Sequence, residues 1–108
     1  MAITINIYYH GTPRNVQSFM SEMISSGIVA EIRKEEGNLR YEYFLPLDDE
    51  ETVLLIDSWE NQEALDKHHA SPLMHKIAKL RDKYDLHMDV ERYTRLEDDA
   101  NDSKFIRK

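Results

Sequence analysis

The sequence predicts an α+β fold with the ferredoxin-like order β-α-β-β-α-β, in which helices cover one face of an antiparallel sheet. Three observations support this prediction. Four short segments are rich in alternating or consecutive apolar and aromatic residues, as strands are. The longer stretches that connect them repeat apolar residues at helical spacing. The three glycines and three prolines of the 108 residues fall at or near the ends of these segments.

The first strand and helix come from the N-terminal third of the chain. Three isoleucines alternate with polar and aromatic residues over positions 3–8, which is typical of a strand with two different faces. Thr12 and Pro13 suit the N-cap and the first position of a helix. This helix either ends at Gly27 or continues to about Lys34.

The next two strands are predicted to form a hairpin. Residues 39–45 are rich in tyrosine and phenylalanine, and Thr52–Trp59 contains an almost unbroken apolar run. The connection between them is short and acidic, so antiparallel pairing is expected. A helix over residues 62–70 follows, with Asn61 as its predicted N-cap.

The C-terminal part restarts a helix and then adds the last strand. Ser71 and Pro72 suit the start of a helix. Its apolar stripe consists of Leu73, Ile77, Leu80 and Tyr84. Residues 86–95 alternate again and predict the fourth strand. We therefore predict one domain over residues 1–96 and a polar C-terminal tail over residues 97–108.

Composition excludes several classes of function. The formal net charge is −7, whereas nucleic acids and anionic membranes require a basic surface. There is no cysteine, and the five histidines show no i, i+4 pair, so no metal site is predicted. The three glycines do not form a cluster, so no glycine-rich loop for a nucleotide cofactor is predicted. No apolar run approaches about 18 residues, so neither a membrane span nor a signal peptide is expected and the default location is cytoplasmic.

A homodimer is expected because both faces of the sheet carry large apolar side chains. Helices would cover one face, and Ile3, Ile5 and Ile7 are expected to begin the other. A monomer rarely exposes a patch of that size, so two sheets would pack face to face.

The candidate functional residues gather around the third strand and the helix after it. Ala64, Leu65 and His68 share one helical arc, so His68 is expected to point inward and His69 to lie to the side. Trp59, the only tryptophan, ends the strand, and its N–H needs a partner if buried. Asp57 is a possible partner of an inward histidine or of Arg40.

Two polar residues of the first strand are further candidates. Asn6 lies among the isoleucines, where an amide is costly unless it is paired. If its face turns toward the helices, Asn6 becomes a hydrogen-bonding group in an apolar pocket, and Tyr8 shares that face. Tyr41 and Leu55 are candidate pocket walls.

Four segments in this order resemble the antibiotic biosynthesis monooxygenase family of small dimeric α+β-barrel proteins, over about residues 3–95. The segments are Glu36-Gly37-Asn38-Leu39-Arg40-Tyr41, Asp57-Ser58-Trp59-Glu60, Gln62-Glu63-Ala64-Leu65-Asp66, and His68 followed by Ala70-Ser71-Pro72. The resemblance implies a pocket between sheet and helices that is lined by Asn6, Trp59 and His68.

The function that follows is cofactor-independent oxidation of a small phenol or quinol by dioxygen. His68 would act as the base, Asn6 and Trp59 would donate hydrogen bonds to the resulting anion, and no cofactor would be required. Three alternatives stay open: a non-catalytic dimer that binds a small ligand, a haem-degrading relative and an autoinducer-2-processing relative. Against haem, the region of the second helix that would supply an axial ligand has no histidine, and His75 faces solvent.

Overall fold

The computed structural model describes Met1–Lys108 and confirms the ferredoxin-like α+β fold. Four antiparallel strands form one sheet in the order β2-β3-β1-β4, and the helices lie on one face of it. The elements are β1 (Ile3–His10), α1 (Pro13–Ser25), α2 (Ile28–Arg33), β2 (Asn38–Phe44), β3 (Thr52–Trp59), α3 (Gln62–His69), α4 (Leu73–Lys83), β4 (His87–Tyr93) and a 3₁₀ helix (Asp102–Phe105). None of the helices combines the length and the apolar composition that a membrane span requires.

The helices begin where the capping residues of the sequence place them. Thr12 accepts a hydrogen bond from the Asn15 N–H at the start of α1, and Asn61 accepts one from the Ala64 N–H at the start of α3. Gly27 adopts a φ of +86° and separates α1 from α2, so the first helical stretch is divided rather than continuous.

Gly37 fixes the distance between the start of β2 and α3. Its φ is +82°, and a Cβ atom at this position would lie 2.5 Å from the Cβ of Ala64. The Gly37 carbonyl also accepts a hydrogen bond from the Glu60 N–H at 2.8 Å. Only glycine allows this approach, so the turn after α2 sits directly against the helix that carries His68.

The prediction that Ile3, Ile5 and Ile7 of β1 lie on the face of the sheet that the helices leave uncovered is wrong. Ile5 and Ile7 are buried against the helices, and Tyr9 continues their alternation with its ring 4.9 Å from that of Phe19. The physical reason is that Tyr9 extends the larger apolar set of β1, and this set fills the core. Asn6 and Tyr8 therefore point to the opposite, uncovered face.

The uncovered face of the sheet mixes apolar and polar side chains. Residues directly opposite each other in the ladder share a face, so the register defines its membership. The face contains Thr4, Asn6, Tyr8 and His10 of β1, Arg40, Glu42 and Phe44 of β2, Thr52, Leu54, Ile56 and Ser58 of β3, and His87, Asp89, Glu91 and Tyr93 of β4. Phe44 is 38% exposed, and the Asn6 Oδ1 atom is buried without a hydrogen-bond partner.

The edge strands β2 and β4 have different surroundings. On β2, the Tyr41 carbonyl accepts two hydrogen bonds from the Arg33 guanidinium, at 2.7 and 3.0 Å. On β4 all seven residues are exposed, and four of them are His87, Asp89, Glu91 and Arg92. The side chain of an α2 residue thus covers part of one edge, while the other edge carries ionisable side chains.

Candidate functional site

His68 is the inward histidine of α3, as helical phase predicts. Its residue is 3% exposed, together with buried Ala64 and Leu65 on the same side, whereas His69 is exposed. Burial alone does not assign a role, because a buried imidazole can be purely structural. The groups around the two ring nitrogens decide what this side chain can do.

The His68 ring is held on one edge and one face. Its Nδ1 lies 3.0 Å from Oε1 of Glu35, and this is the only hydrogen bond of the ring, so Nε2 has no partner within the chain. The Trp59 ring stacks on it with centroids 4.6 Å apart and 27° between the planes. The result is an oriented imidazole with one nitrogen engaged and the other free of protein partners.

The Trp59 indole N–H is occupied. It donates to Oδ1 of Asp57 at 2.5 Å, two residues earlier on the same face of β3. Trp59 is completely buried, so this bond satisfies a donor that would otherwise cost stability. In this structure the Asp57 carboxyl accepts the N–H that was expected to donate to a substrate anion, and that role of Trp59 stays a prediction.

Asp57 is a buried carboxyl with a perturbed pKa. Burial raises the pKa of Asp57 from 3.8 to about 6, against the opposing effects of nearby His68 and of the Trp59 hydrogen bond. Asp57 makes no hydrogen bond to His68, and Arg40 pairs with Glu42 instead. Glu35, rather than Asp57, is thus the residue that contacts the histidine.

Asp57→Asn is expected to remove a pH-dependent loss of stability. Because the folded-state pKa is raised, the carboxyl favours folding below about pH 4, and this contribution is lost as pH rises through about 6. At pH 7 the free energy of unfolding of the wild type should be about 3 kcal/mol lower, through this group, than at a pH where Asp57 is protonated in both states. Urea unfolding at pH 4 and pH 7 should show a flatter dependence for the variant.

Asp49→Asn is the control for that experiment. Hydrogen bonds from Thr52 and from the Glu51 backbone lower the pKa of Asp49, so its contribution is lost as pH falls. That loss lies below about pH 4, so Asp49→Asn should leave the change in stability between pH 4 and pH 7 close to that of the wild type. Equal slopes for Asp57→Asn and the wild type would contradict the raised pKa of Asp57.

A cluster of tyrosines continues the site across the sheet. The Tyr9 hydroxyl accepts from two nitrogens of Arg81 at 2.8 and 3.1 Å. The rings of Tyr41 and Tyr43 meet edge to face 6.0 Å apart, and the Tyr43 hydroxyl is buried without a partner. Burial raises the pKa of Tyr9, Tyr41 and Tyr43, so all three phenols are neutral at physiological pH.

The structure brings together most, but not all, of the residues predicted from the sequence. On the helix-covered side lie His68, Trp59, Asp57, Tyr41, Leu55 and Leu65. Asn6 and Tyr8 lie on the other side of the sheet, so the expected convergence of Asn6 with His68 is wrong. A strand residue can reach only one face, and the packing of Tyr9 has fixed which one.

The space expected between sheet and helices is filled by side chains. Phe19, Leu55, Trp59 and Leu65 are at most 1% exposed there. A polar cavity of about 70 Å³ lies between the Gly37 turn and α3 and is lined by Glu36, Gly37, Glu60, Asn61, Glu63, Ala64 and Lys67. That volume is far below the ~300 Å³ at which ligand pockets usually begin. No three His, Asp or Glu side chains are placed to hold a metal ion.

Sequence reasoning missed Glu35 and Arg81. Glu35 follows α2 at the turn into β2, where nothing local signals a buried contact with a residue 33 positions away. Arg81 was detectable, because it lies four residues after buried Ile77 and one after Leu80 on α4. A long charged side chain on the apolar side of a helix is a signal for a buried polar partner.

Comparison with known proteins gives consistent matches. The model of the family "Antibiotic biosynthesis monooxygenase" matches residues 2–80. "Putative monooxygenase YcnE" of Bacillus subtilis (strain 168) is 29% identical over 66 residues, which are 61% of this chain and 67% of that protein.

Solved structures of low identity share the fold. A Deinococcus radiodurans structure that carries the same family name has a TM-score of 0.76 at 18% identity, over 91% of this chain and 95% of its own. SnoaB, a cofactor-independent oxygenase from Streptomyces nogalater, has a TM-score of 0.67 at 14% identity, over 90% and 95%.

Proposed function

Because the chain belongs to the antibiotic biosynthesis monooxygenase family, we propose that it is a cofactor-independent monooxygenase that oxidises a small phenol or quinol with dioxygen. The proposal includes no cofactor, and the structural likeness to SnoaB, a cofactor-independent oxygenase, supports this part of it. The homodimer and the small aromatic substrate are parts of the same proposal.

The observation that carries the proposal is the state of the His68 ring. Nδ1 is engaged by Glu35 and one face is covered by Trp59, while Nε2 has no partner in the chain. An imidazole held in this way is suited to accept a proton from a phenol brought to Nε2. Asn6 is not part of this proposal, because it lies across the sheet. Tyr41, Leu55 and Leu65 form the apolar surroundings.

The overall reaction balances without an added reductant. A phenol and one O₂ give a quinone and one water. One oxygen atom becomes a carbonyl oxygen on a ring carbon, and the other leaves as water. The substrate supplies all four electrons. His68 removes the phenolic proton, and the electron-rich phenolate that results is the species that reduces oxygen. The imidazolium beside Glu35 then stabilises the anion by its charge.

We expect metal-free protein to consume oxygen in the presence of a suitable substrate. An oxygen electrode, a panel of phenols, catechols and quinols, and chelator-treated protein provide the test. Uptake should depend on protein concentration and should persist without added metal, flavin or haem. Absence of uptake across the panel, or uptake that needs an added cofactor, would contradict the proposal.

The second candidate is a dimer that binds a small ligand at the same residues without converting it. Trp59 is the only tryptophan and stacks directly on His68, so its fluorescence reports events at this site. A compound from the panel that changes the Trp59 emission without oxygen uptake would support binding alone. A change accompanied by uptake would support the monooxygenase.

The uncovered sheet face is the proposed interface of the homodimer. Leu54 and Ile56 are half-buried in the single chain and Phe44 is partly exposed. The unpartnered Asn6 oxygen lies beside Ile56 in the same face. A second sheet packed on this face would bury the apolar side chains and could supply a donor to Asn6.

Ile56→Lys is expected to dissociate the dimer. Light scattering of the wild type should give about twice the 12.8 kDa chain mass, and the variant should give one chain mass with its circular dichroism spectrum unchanged. Ile5→Lys should unfold the chain instead, because Ile5 is buried against the helices. Leu47→Lys, in the exposed hairpin loop, should stay dimeric. A monomeric wild type would refute the proposed interface.

A further inference from the structure

Glu35 is placed by two separate constraints. Its backbone N–H donates to the Ile32 carbonyl at 3.0 Å, and its carbonyl accepts from the Asn38 N–H at 3.1 Å. The left-handed Gly37 closes this turn against α3. The side chain of Glu35 therefore meets His68 from a fixed backbone, with 20% of that side chain exposed against 4% for the histidine.

We propose that Glu35 is a positioning residue for His68: it holds the imidazole in the Nδ1–H tautomer and leaves Nε2 as the nitrogen that accepts a proton. A carboxylate only accepts hydrogen bonds, so the nitrogen that faces it at 3.0 Å must carry the hydrogen. A neutral imidazole has one N–H, which leaves a lone pair on Nε2. The inference rests on the proposed function in one respect, that the proton accepted by Nε2 comes from a phenolic substrate. The tautomer itself follows from the contact with Glu35.

The Trp59 ring completes the positioning. It covers one face of the imidazole at 4.6 Å, and the Tyr41 ring lies 6.5 Å away at a steep angle. Rotation of the His68 ring by a half turn would move Nδ1 away from the carboxylate and break the only hydrogen bond of the ring. Glu35 thus selects both the orientation and the tautomer, as the carboxylate does in other acid–base histidine sites.

The ring nitrogens of His68 can be observed directly, without any substrate. Long-range proton–nitrogen correlation spectra of uniformly ¹⁵N-labelled protein distinguish a protonated from an unprotonated ring nitrogen. In the wild type, neutral His68 should show a proton on Nδ1 and none on Nε2. A wild-type His68 with its proton on Nε2 would overturn the proposal, whatever the variants do.

Glu35→Gln separates positioning from simple packing. The amide has the size of the carboxyl but can also donate an N–H, so it admits the Nε2–H tautomer. The variant should therefore show a population of Nε2–H that the wild type lacks. Glu36→Gln is the matched control, since the Glu36 side chain is 84% exposed and its carboxylate pairs with Lys67, at 3.6 Å. An unchanged tautomer in Glu35→Gln would show that Glu35 only packs.

Oxygen uptake separates the failure of this inference from the failure of the proposed function. If substrate turnover is found, Glu35→Gln should lower kcat by up to about 10⁴-fold, the scale observed when the orienting carboxylate of a catalytic histidine becomes an amide. Equal kcat in Glu35→Gln and the wild type would overturn the positioning role. An Nδ1–H tautomer without any uptake would instead refute the monooxygenase and leave the placement of His68 by Glu35 standing.

Discussion

His68→Ala is expected to lower turnover by about 10²–10⁴-fold on any substrate that the wild type consumes, because it removes the proposed base. The fold should survive at reduced stability, since the smaller side chain leaves a cavity but causes no clash and alanine favours the helix. Steady-state oxygen uptake with matched protein concentrations measures the loss.

His69→Ala is the matched control for this prediction. His69 has the same chemistry and is adjacent in sequence, yet it is exposed on α3. Partial desolvation of its ring and, secondly, the nearby charge of His68 lower the pKa of His69. The variant should retain most of the activity. If His69→Ala is inactive, or if His68→Ala keeps the wild-type rate, the assignment of the base is wrong.

Trp59→Ala is expected to cause the largest loss of stability, about 3–5 kcal/mol. Trp59 is completely buried in the core, stacks on His68 and donates to Asp57. Its removal leaves a cavity and also leaves the Asp57 carboxyl without its partner. Urea unfolding followed by far-ultraviolet circular dichroism measures the effect, because the variant has no tryptophan to observe.

Trp59→Phe divides that loss into two parts. Phenylalanine keeps a ring beside His68 but has no N–H for Asp57, so the variant should be destabilised by less than Trp59→Ala. Leu47→Ala, at a fully exposed position, should change stability by less than about 0.5 kcal/mol. A Trp59→Ala variant as stable as Leu47→Ala would show that the indole is not part of the packed core.

The sequence predicted those parts of the molecule that depend on local patterns. Thr12 and Asn61 cap their helices as expected, β3 spans Thr52–Trp59 as predicted, and the phase of α3 placed His68 inward. Each of these features depends on residues within a few positions of one another, where periodicity and side-chain chemistry are decisive.

The faces of β1 could not be predicted in the same way. One side of β1 carries Ile3, Ile5 and Ile7, and the other carries Asn6 and Tyr8. The alternating pattern predicts a strand but does not decide which side faces the helices. The choice depends on Tyr9, which packs on Phe19 and bonds Arg81, residues that are distant in the chain. The contact between Glu35 and His68 is of the same kind, because it joins positions that only the completed fold brings together.

The two hydrogen bonds from Arg33 to the Tyr41 carbonyl have a consequence for the behaviour of the protein at high concentration. A free carbonyl on an outer strand is a template on which a strand of another molecule can add, which is how many fibrils and precipitates begin. Arg33 occupies this acceptor on one side of the sheet, and the ionisable side chains of β4 discourage strand addition on the other. The Arg33 guanidinium and the ionisable side chains of β4 therefore act against aggregation, in addition to the net charge of −7.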